Sequence, residues 1–369
     1  MAIDPANVEA LLSAAEADIR RRPPALAKAA ARLQGAVREA PVEAWSYSDL
    51  GVVALLGGDR ARADTMFAIA RRLSRRELPA EAYGFASALE RADYAAAWAV
   101  LNVILRLSPG SLAAALPPVI AQALRQPGAL APLSALMATD PPWRDELLAA
   151  LAAKPDGLEA VATVLTALRA TPHPPTDAEV AGLLRGEIAA KDYGRAIDDW
   201  RSLSPAARGA PRSAVYNGRF RTGGSEAPFN WMIASDAAGV VSLAAGADGA
   251  GLRAVPTDSS GDAPLVAELM VLAPGSYSLS GQTRIPGAAF PRSAGFAWSM
   301  RCADTGQVIG QTGPVSATDR WSGFATAFTA PPGACAGQWL ELRRLSSLSE
   351  DSSQAPALFD RMTVSVAPR

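Results

Sequence analysis

The chain has 369 residues, 49% hydrophobic and 19% charged, the balance of a protein that folds around cores. Its 35 basic and 36 acidic side chains nearly cancel, which excludes an overall field able to draw it onto nucleic acid or an anionic membrane. No stretch reaches the roughly 18 to 20 apolar residues of a membrane-spanning helix, and a single histidine, His173, leaves no basis for imidazole catalysis or His-based metal binding.

Residues 1–12 lack the basic start, apolar run and small-residue cleavage site of a secretory signal, so the expectation is a cytoplasmic protein unless an export segment has been removed. From residue 7 to about 203, Ala, Leu and Arg recur at helical spacing, interrupted by Pro or Gly every 12 to 20 residues. That pattern predicts short helices joined by tight turns. It also repeats. Leu50-Gly51 precede Gly58-Asp59, Ala63, Phe67 and Ala70; thirty-four residues after Asp59 comes Asp93, then Ala97, Leu101, Ile104 and Pro109; a third copy runs Asp192-Tyr193, Ala196, Trp200, Leu203, Pro205. The small Ala63, Ala97 and Ala196 let paired helices approach closely, and Phe67, Leu101 and Trp200 one turn later fill the groove between repeats.

This spacing resembles the tetratricopeptide family, well over residues 47 to 75 and in part over 82 to 109. The resemblance implies an all-α solenoid that docks a peptide or protein rather than performing chemistry. Between 111 and 176 the register is lost at Pro117-Pro118, Pro141-Pro142 and Pro172-His173-Pro174-Pro175, where degenerate repeats are expected. The basic clusters Arg20-Arg21-Arg22 and Arg71-Arg72 with Arg75-Arg76 have two readings, a grip on acidic partners or solvated helix ends.

After Pro205 the alphabet changes to Gly, Ser, Thr, Val and aromatics in short alternating runs, which predicts a multidomain chain: helical repeats over 1–205, a linker at 206–212 and an all-β jelly-roll sandwich over 213–369. Predicted strands lie at 215–220, 229–233, 240–244, 265–272, 276–282, 295–302, 321–329, 338–345 and 358–366. Gly246, Gly249 and Gly251 read as a turn between strands, with no following helix to cradle a phosphate. Cys302 and Cys335 form a candidate disulfide, closing a loop of about 32 residues and contributing roughly 3 to 4 kcal/mol. Such a bond implies export to the periplasm or cell envelope.

Alternation assigns faces. Phe296, Trp298, Met300 and Cys302 share one face, which makes Trp298 core and leaves Ser299 and Arg301 outward; Trp231 is also predicted core. Phe324 and Phe328 face inward, so Trp321 points the other way. Leu340 and Leu342 face inward, which puts Trp339, Glu341 and Arg343 together outside. The candidate ligand-binding set is Trp339, Glu341, Arg343, Trp321 and Arg301, since an outward indole beside a carboxylate and a guanidinium suits the apolar face and hydroxyls of a sugar ring. The competing reading is that this face packs against the helices or a second chain.

Tyr216-Asn217-Gly218-Arg219-Phe220, Phe229-Asn230-Trp231, Pro274-Gly275-Ser276-Tyr277 and Phe359-Asp360 resemble the galactose-binding-like jelly roll of many carbohydrate-binding modules. The resemblance implies glycan binding. Arg221 stands where calcium-holding members carry an acid, so no metal is expected, and no cofactor is predicted. Asp304, Glu341 and Asp360 are the acids available to a carboxylate-pair hydrolase, but nothing in the sequence pairs them. The expected function is therefore a non-catalytic scaffold associated with a bacterial cell envelope or exopolysaccharide, its repeats docking a protein and its sandwich binding glycan. The alternative is a pure protein-assembly scaffold whose sandwich is a protein-interaction domain.

Overall fold

The structure, a computed structural model, describes residues 7–107, 116–207, 215–221, 228–237, 240–244, 251–255, 264–293, 295–333, 335–345 and 355–367. Twelve α-helices lie among them: α1 (Val8–Arg20), α2 (Leu26–Glu39), α3 (Ala44–Leu56), α4 (Arg60–Leu73), α5 (Leu78–Glu90), α6 (Tyr94–Leu107), α7 (Leu116–Leu124), α8 (Leu130–Met137), α9 (Arg144–Ala152), α10 (Pro155–Leu168), α11 (Asp177–Ala189) and α12 (Tyr193–Leu203).

The repeated sequence marks are repeated geometry. In the hairpins α3/α4, α5/α6 and α11/α12 the residue before the turn aspartate is left-handed, with φ of 81° at Gly58, 54° at Ala92 and 63° at Lys191. That kink lets the aspartate amide donate to the carbonyl five residues back, Asp59 to Ala54, Asp93 to Ala88 and Asp192 to Glu187, each at 2.9 Å. The carboxylate then caps the next helix, accepting from Arg62 at 3.0 Å, Ala96 at 3.1 Å and Arg195 at 3.3 Å. Close approach follows: Ala63, Ala97 and Ala196 are wholly buried, and a Cβ on Gly51 would fall 2.7 Å from the Phe67 ring. Of the proline runs expected to break helices, Pro141-Pro142 and Pro172-His173-Pro174-Pro175 do lie between helices, whereas Pro117 and Pro118 fall in the first turn of α7, where a missing N–H costs nothing. Arg71 and Arg75 both pair with the buried Glu81, so these two of the cluster's four arginines are engaged within the chain.

The β region begins differently from expectation. Residues 216–219 form a turn rather than a strand, because Asn217 takes φ 52° and its side chain accepts from the Arg221 amide at 2.7 Å, closing a loop that ends the extended run. The strands are β1 (Met232–Ile233), β2 (Val241–Ala244), β3 (Gly251–Ala254), β4 (Val266–Met270), β5 (Gly275–Arg284), β6 (Arg292–Ser293), β7 (Phe296–Cys302), β8 (Val308–Gln311), β9 (Ser316–Ala317), β10 (Ser322–Ala330), β11 (Gln338–Arg344) and β12 (Ala357–Val366). Gly251 therefore opens a strand and does not sit in a turn; Gly246 and Gly249, and linker positions 208–212, lie outside the described residues.

Two five-stranded antiparallel sheets face each other, sheet A in the order β1-β4-β11-β7-β8 and sheet B in the order β10-β5-β12-β3-β2, with β6 and β9 paired separately. Their inner faces interdigitate through Trp231, Phe296, Trp298, Met300, Leu340, Leu342, Leu279, Phe328 and Phe359. Trp231 and Trp298 are fully buried and pack ring edge to face at 5.6 Å. Cys302 and Cys335 are joined, with Cα atoms 4.9 Å apart, tying the end of β7 to the approach to β11.

The chain separates into two compact units, residues 1–151 with 170–174, and residues 152–169 with 175–369. This differs from the boundary predicted at 205. Helices α10 to α12 belong with the sandwich, because the aromatic side chains of α12 are shared with it: the Trp200 ring lies 5.0 Å from Tyr216 and 5.4 Å from Phe229. A repeat motif identifies a hairpin but not the surface it packs on.

Candidate functional site

Antiparallel register fixes what shares the outer face of sheet A. Trp339 is flanked by Leu269 and Arg301, Glu341 by Ala267 and Ser299, and Arg343 by Ala297. Four of the five predicted ligand-binding residues, Trp339, Glu341, Arg343 and Arg301, thus stand on one face of two adjacent strands. The face is not open. Glu341 is only 6% exposed, and its carboxylate accepts from Arg343 Nε at 2.7 Å with Arg301 Nε at 3.8 Å, while the Trp339 indole is half-buried. Helix α12 brackets the Leu269-Trp339-Arg301 row. At one end Tyr193 seats its ring over Gly337, where a Cβ would lie 2.7 Å from the ring, and donates to Asp304 at 3.2 Å; at the other Trp200 meets Phe229. Lys191 adds an ion pair to Asp304 at 3.7 Å. Burial, with the Asp304 charge beside it, pushes the Tyr193 hydroxyl up to about 12.

The fifth candidate, Trp321, belongs to the other sheet. It immediately precedes β10 at the parity of Gly323 and Ala325, which face away from the core, and it is half-buried. The outward rows of sheet B are Gly323-Gln282-Asp360, Ala325-Ser280-Thr363 and Ala327-Ser278-Ser365. Ser280 and Thr363 hydroxyls hydrogen-bond to each other at 2.8 Å. Arg284, in line with Trp321, donates from Nε to the Asp319 carbonyl at 2.9 Å and from its terminal nitrogen to the Asp319 carboxylate at 3.1 Å. The Gly287 amide and Arg284 hold that carboxylate below its usual range.

Over this face runs a groove of about 430 Å³, open where Gly323 carries no side chain and lined by Ser280, Gln282, Ala325 and Arg361, with the Gly281 backbone beneath, its missing side chain facing inward toward Phe324 and Met362. Arg361 is placed there by a β-bulge. Pairing with β5 slips between Asp360 and Thr363, Arg361 adopts φ 54°, and its amide donates to the Asp360 carboxylate at 2.7 Å. Sequence reading missed this groove, though β12 carried a signal: its inward residues Ala357, Phe359, Met362 and Val364 are spaced two, three, two, the mark of one extra residue.

The remaining candidates are dispersed. Asp304 and Glu341 are engaged as above, and Asp360 lies on the opposite sheet. The His173 carbonyl accepts from Arg144 at 3.1 Å, and its ring lies 3.9 Å from Asp140. Among the described residues no group of three His, Cys, Asp or Glu side chains is placed to hold a metal ion. Glu268 points into the sandwich, 1% exposed, one oxygen accepting from the Tyr216 amide and the other unpartnered; burial raises its pKa well above the usual carboxylate value.

No protein-family model and no curated protein matches this chain. Among solved structures it is similar to the CBM22-1 xylan-binding domain of Xyn10C from Paenibacillus barcinonensis, at 12% identity and a TM-score of 0.29, over 42% of this chain and 96% of that one. A CBM4 structure is similar at 19% identity and a TM-score of 0.31, over 41% of this chain and 98% of that one. A Stig cyclase, Fisc from Fischerella sp. TAU, is similar at 15% identity and a TM-score of 0.24, over 31% and 63%.

Proposed function

We propose that this is a non-catalytic binding protein whose sandwich holds a carbohydrate chain across the outer face of sheet B, while helical hairpins of tetratricopeptide type dock a protein partner. The observation that carries the reading is the sheet B groove, which Gly323 leaves open between Gln282, Ser280 and Arg361. Amide, hydroxyl and guanidinium groups there match sugar hydroxyls, and Trp321 at the end of the same face supplies an apolar ring for the C–H side of a pyranose. The sheet A face is a weaker platform, since Glu341 already meets cations of its own chain. With Glu341 on one sheet and Asp360 on the other, these two acids do not flank one bond, which supports binding over hydrolysis. The Cys302–Cys335 bond supports a place in an oxidising compartment such as the cell envelope.

The full chain, titrated calorimetrically against a panel of polysaccharides, should bind at least one. Trp321→Ala and Gln282→Ala should each weaken that binding about tenfold or more, a loss of about 1.4 kcal/mol, and Trp339→Ala should leave it unchanged. Loss in Trp339→Ala alone would move the site to sheet A. Release of reducing ends would refute the non-catalytic reading. Binding to no glycan would favour a pure assembly scaffold.

A further inference from the structure

Helix α3 is apolar on nearly all sides, yet one stripe of it, Trp45, Asp49, Val52 and Leu56, spaced four, three, four, starts and ends in solvent, with Trp45 38% and Leu56 53% exposed. In the middle of this stripe sits a carboxylate. Asp49 is 8% exposed, and its Oδ2 has no hydrogen-bond partner.

The charges that reach Asp49 come from two helices that touch α3 besides its main neighbours α2 and α4: Glu16 and Arg20 from α1, and Glu77 from the residue capping α5. Arg20 is paired to Glu16, so its charge is shared, and Glu43 at the start of α3 adds a further acid next to Glu77. Desolvation comes first, then Glu16, in raising the Asp49 carboxyl to about 6; hydrogen bonding from the Trp45 side chain and the charge of Arg20 oppose it, and Glu77 adds to the rise.

The other buried carboxyl groups are engaged or enclosed: Asp18 is met by Arg32, Glu179 closes a capping box with Thr176, and Glu341 is met by Arg343. Glu81 is met by Arg71 and Arg75, Glu187 by Arg195 and Asp199, and Glu268 is sealed inside the sandwich. Asp49 differs in lying beside the partly exposed Trp45 indole, its unpartnered oxygen covered from solvent, with acids outnumbering cations around it. An arrangement that disfavours its own ionised form and is left short of counter-charge by its own chain is suited to a cation supplied from outside.

We infer that the α1–α3–α5 face of the N-terminal unit docks an extended segment of a partner protein through an arginine or lysine side chain, whose cation pairs with Asp49 and stacks on Trp45 while flanking apolar residues cover Val52 and Leu56. The inference rests on the reading that the hairpins dock a protein, and it names the chemistry of that partner. Cation–π contact with Trp45 and a charge-assisted bond to Asp49 together select arginine over an uncharged residue of the same shape. Glu16, Glu43 and Glu77 steer basic segments toward the site.

The test uses the full chain and a degenerate peptide library carrying arginine, citrulline or glutamate at one fixed central position between apolar residues, read by calorimetry. The arginine set should bind at least tenfold tighter than the citrulline set. Asp49→Asn should abolish that preference without lowering the thermal midpoint at pH 7, and Glu77→Gln, on another element, should weaken it several-fold. Affinity should fall as the pH is lowered through about 6. Equal binding of arginine and citrulline peptides, or a preference that survives Asp49→Asn with the fold intact, overturns the inference and leaves the docking reading standing. Absence of binding by any of the three peptide sets overturns both.

Discussion

A single carboxylate at position 49 ties stability to pH in a direction opposite to most surface acids. Its folded-state pKa, about 6, lies above its ordinary 3.8, so between those values the folded chain holds a proton that the unfolded chain has released. The contribution of Asp49 to stability is therefore greatest below about pH 4, falls as pH rises toward 6, and stays at the lower level above that. Asp49→Asn removes the penalty: at pH 7 the variant should be more stable than the parent by on the order of 1 to 2 kcal/mol, a figure reduced for partial solvent screening. Chemical denaturation at pH 4 and pH 7 checks it, and a variant less stable at pH 7 would mean that the carboxylate is held by contacts within the fold. Residue-scale facts of this kind were poorly legible in the sequence. Alternation did place Trp339, Glu341 and Arg343 on one face and Trp231 and Trp298 in the core. It carried no information on whether an outward face meets water, which is why Glu341, outward by parity, lies 6% exposed among its own chain's arginines.

The elements themselves were more legible, because their signals are local. An aspartate followed four residues later by alanine marked three hairpins, and the structure builds the same turn at Asp59, Asp93 and Asp192, with positive φ before each that Ala92 and Lys191 did not announce. Strands with long alternating runs were equally visible, whereas β3, β6, β8 and β9, only two to four residues each, gave too little periodicity to register. The third hairpin carries a feature that motif reading does not convey. Glu187 of α11 is fully buried against Asp199 of α12; burial first, then hydrogen bonding and charge from Asp199, raise its carboxyl well above the usual range despite Arg195, favouring the protonated form. The unfolded chain releases this proton near 4.5, so α11/α12 loses stability as pH climbs above that value toward the raised pKa of the folded state. Glu187→Gln, a neutral isostere, should flatten that decline and gain on the order of 2 kcal/mol at pH 8. An unchanged slope in melts taken across pH 5 to 9 would show that the carboxyl is ionised and matched by Arg195.

At the scale of the molecule, the sequence marked a change of architecture near residue 205, and the packing did not follow it. Composition changes where helix gives way to strand, but a compact unit ends where contacts end, and α12 contributes Tyr193 and Trp200 to the sandwich it precedes. Leu269, at 2% exposed, and Phe229, also at 2%, lie on the side of sheet A that this helix brackets. A segment starting at 213 would therefore expose an apolar patch of the kind that drives aggregation, whereas one starting at 152 keeps it covered. Expressed separately, 152–369 should be monomeric and unfold in one cooperative step. By contrast, 213–369 should aggregate or melt well below it, and Trp200→Ala within 152–369 should cost about 3 to 5 kcal/mol, the usual penalty for emptying a buried tryptophan site. Light scattering and thermal melts decide the matter. If 213–369 proves as soluble and as stable as 152–369, then α12 is a passive neighbour of the sandwich, and the outer face of sheet A, with Trp339 upon it, returns as a surface open to ligands.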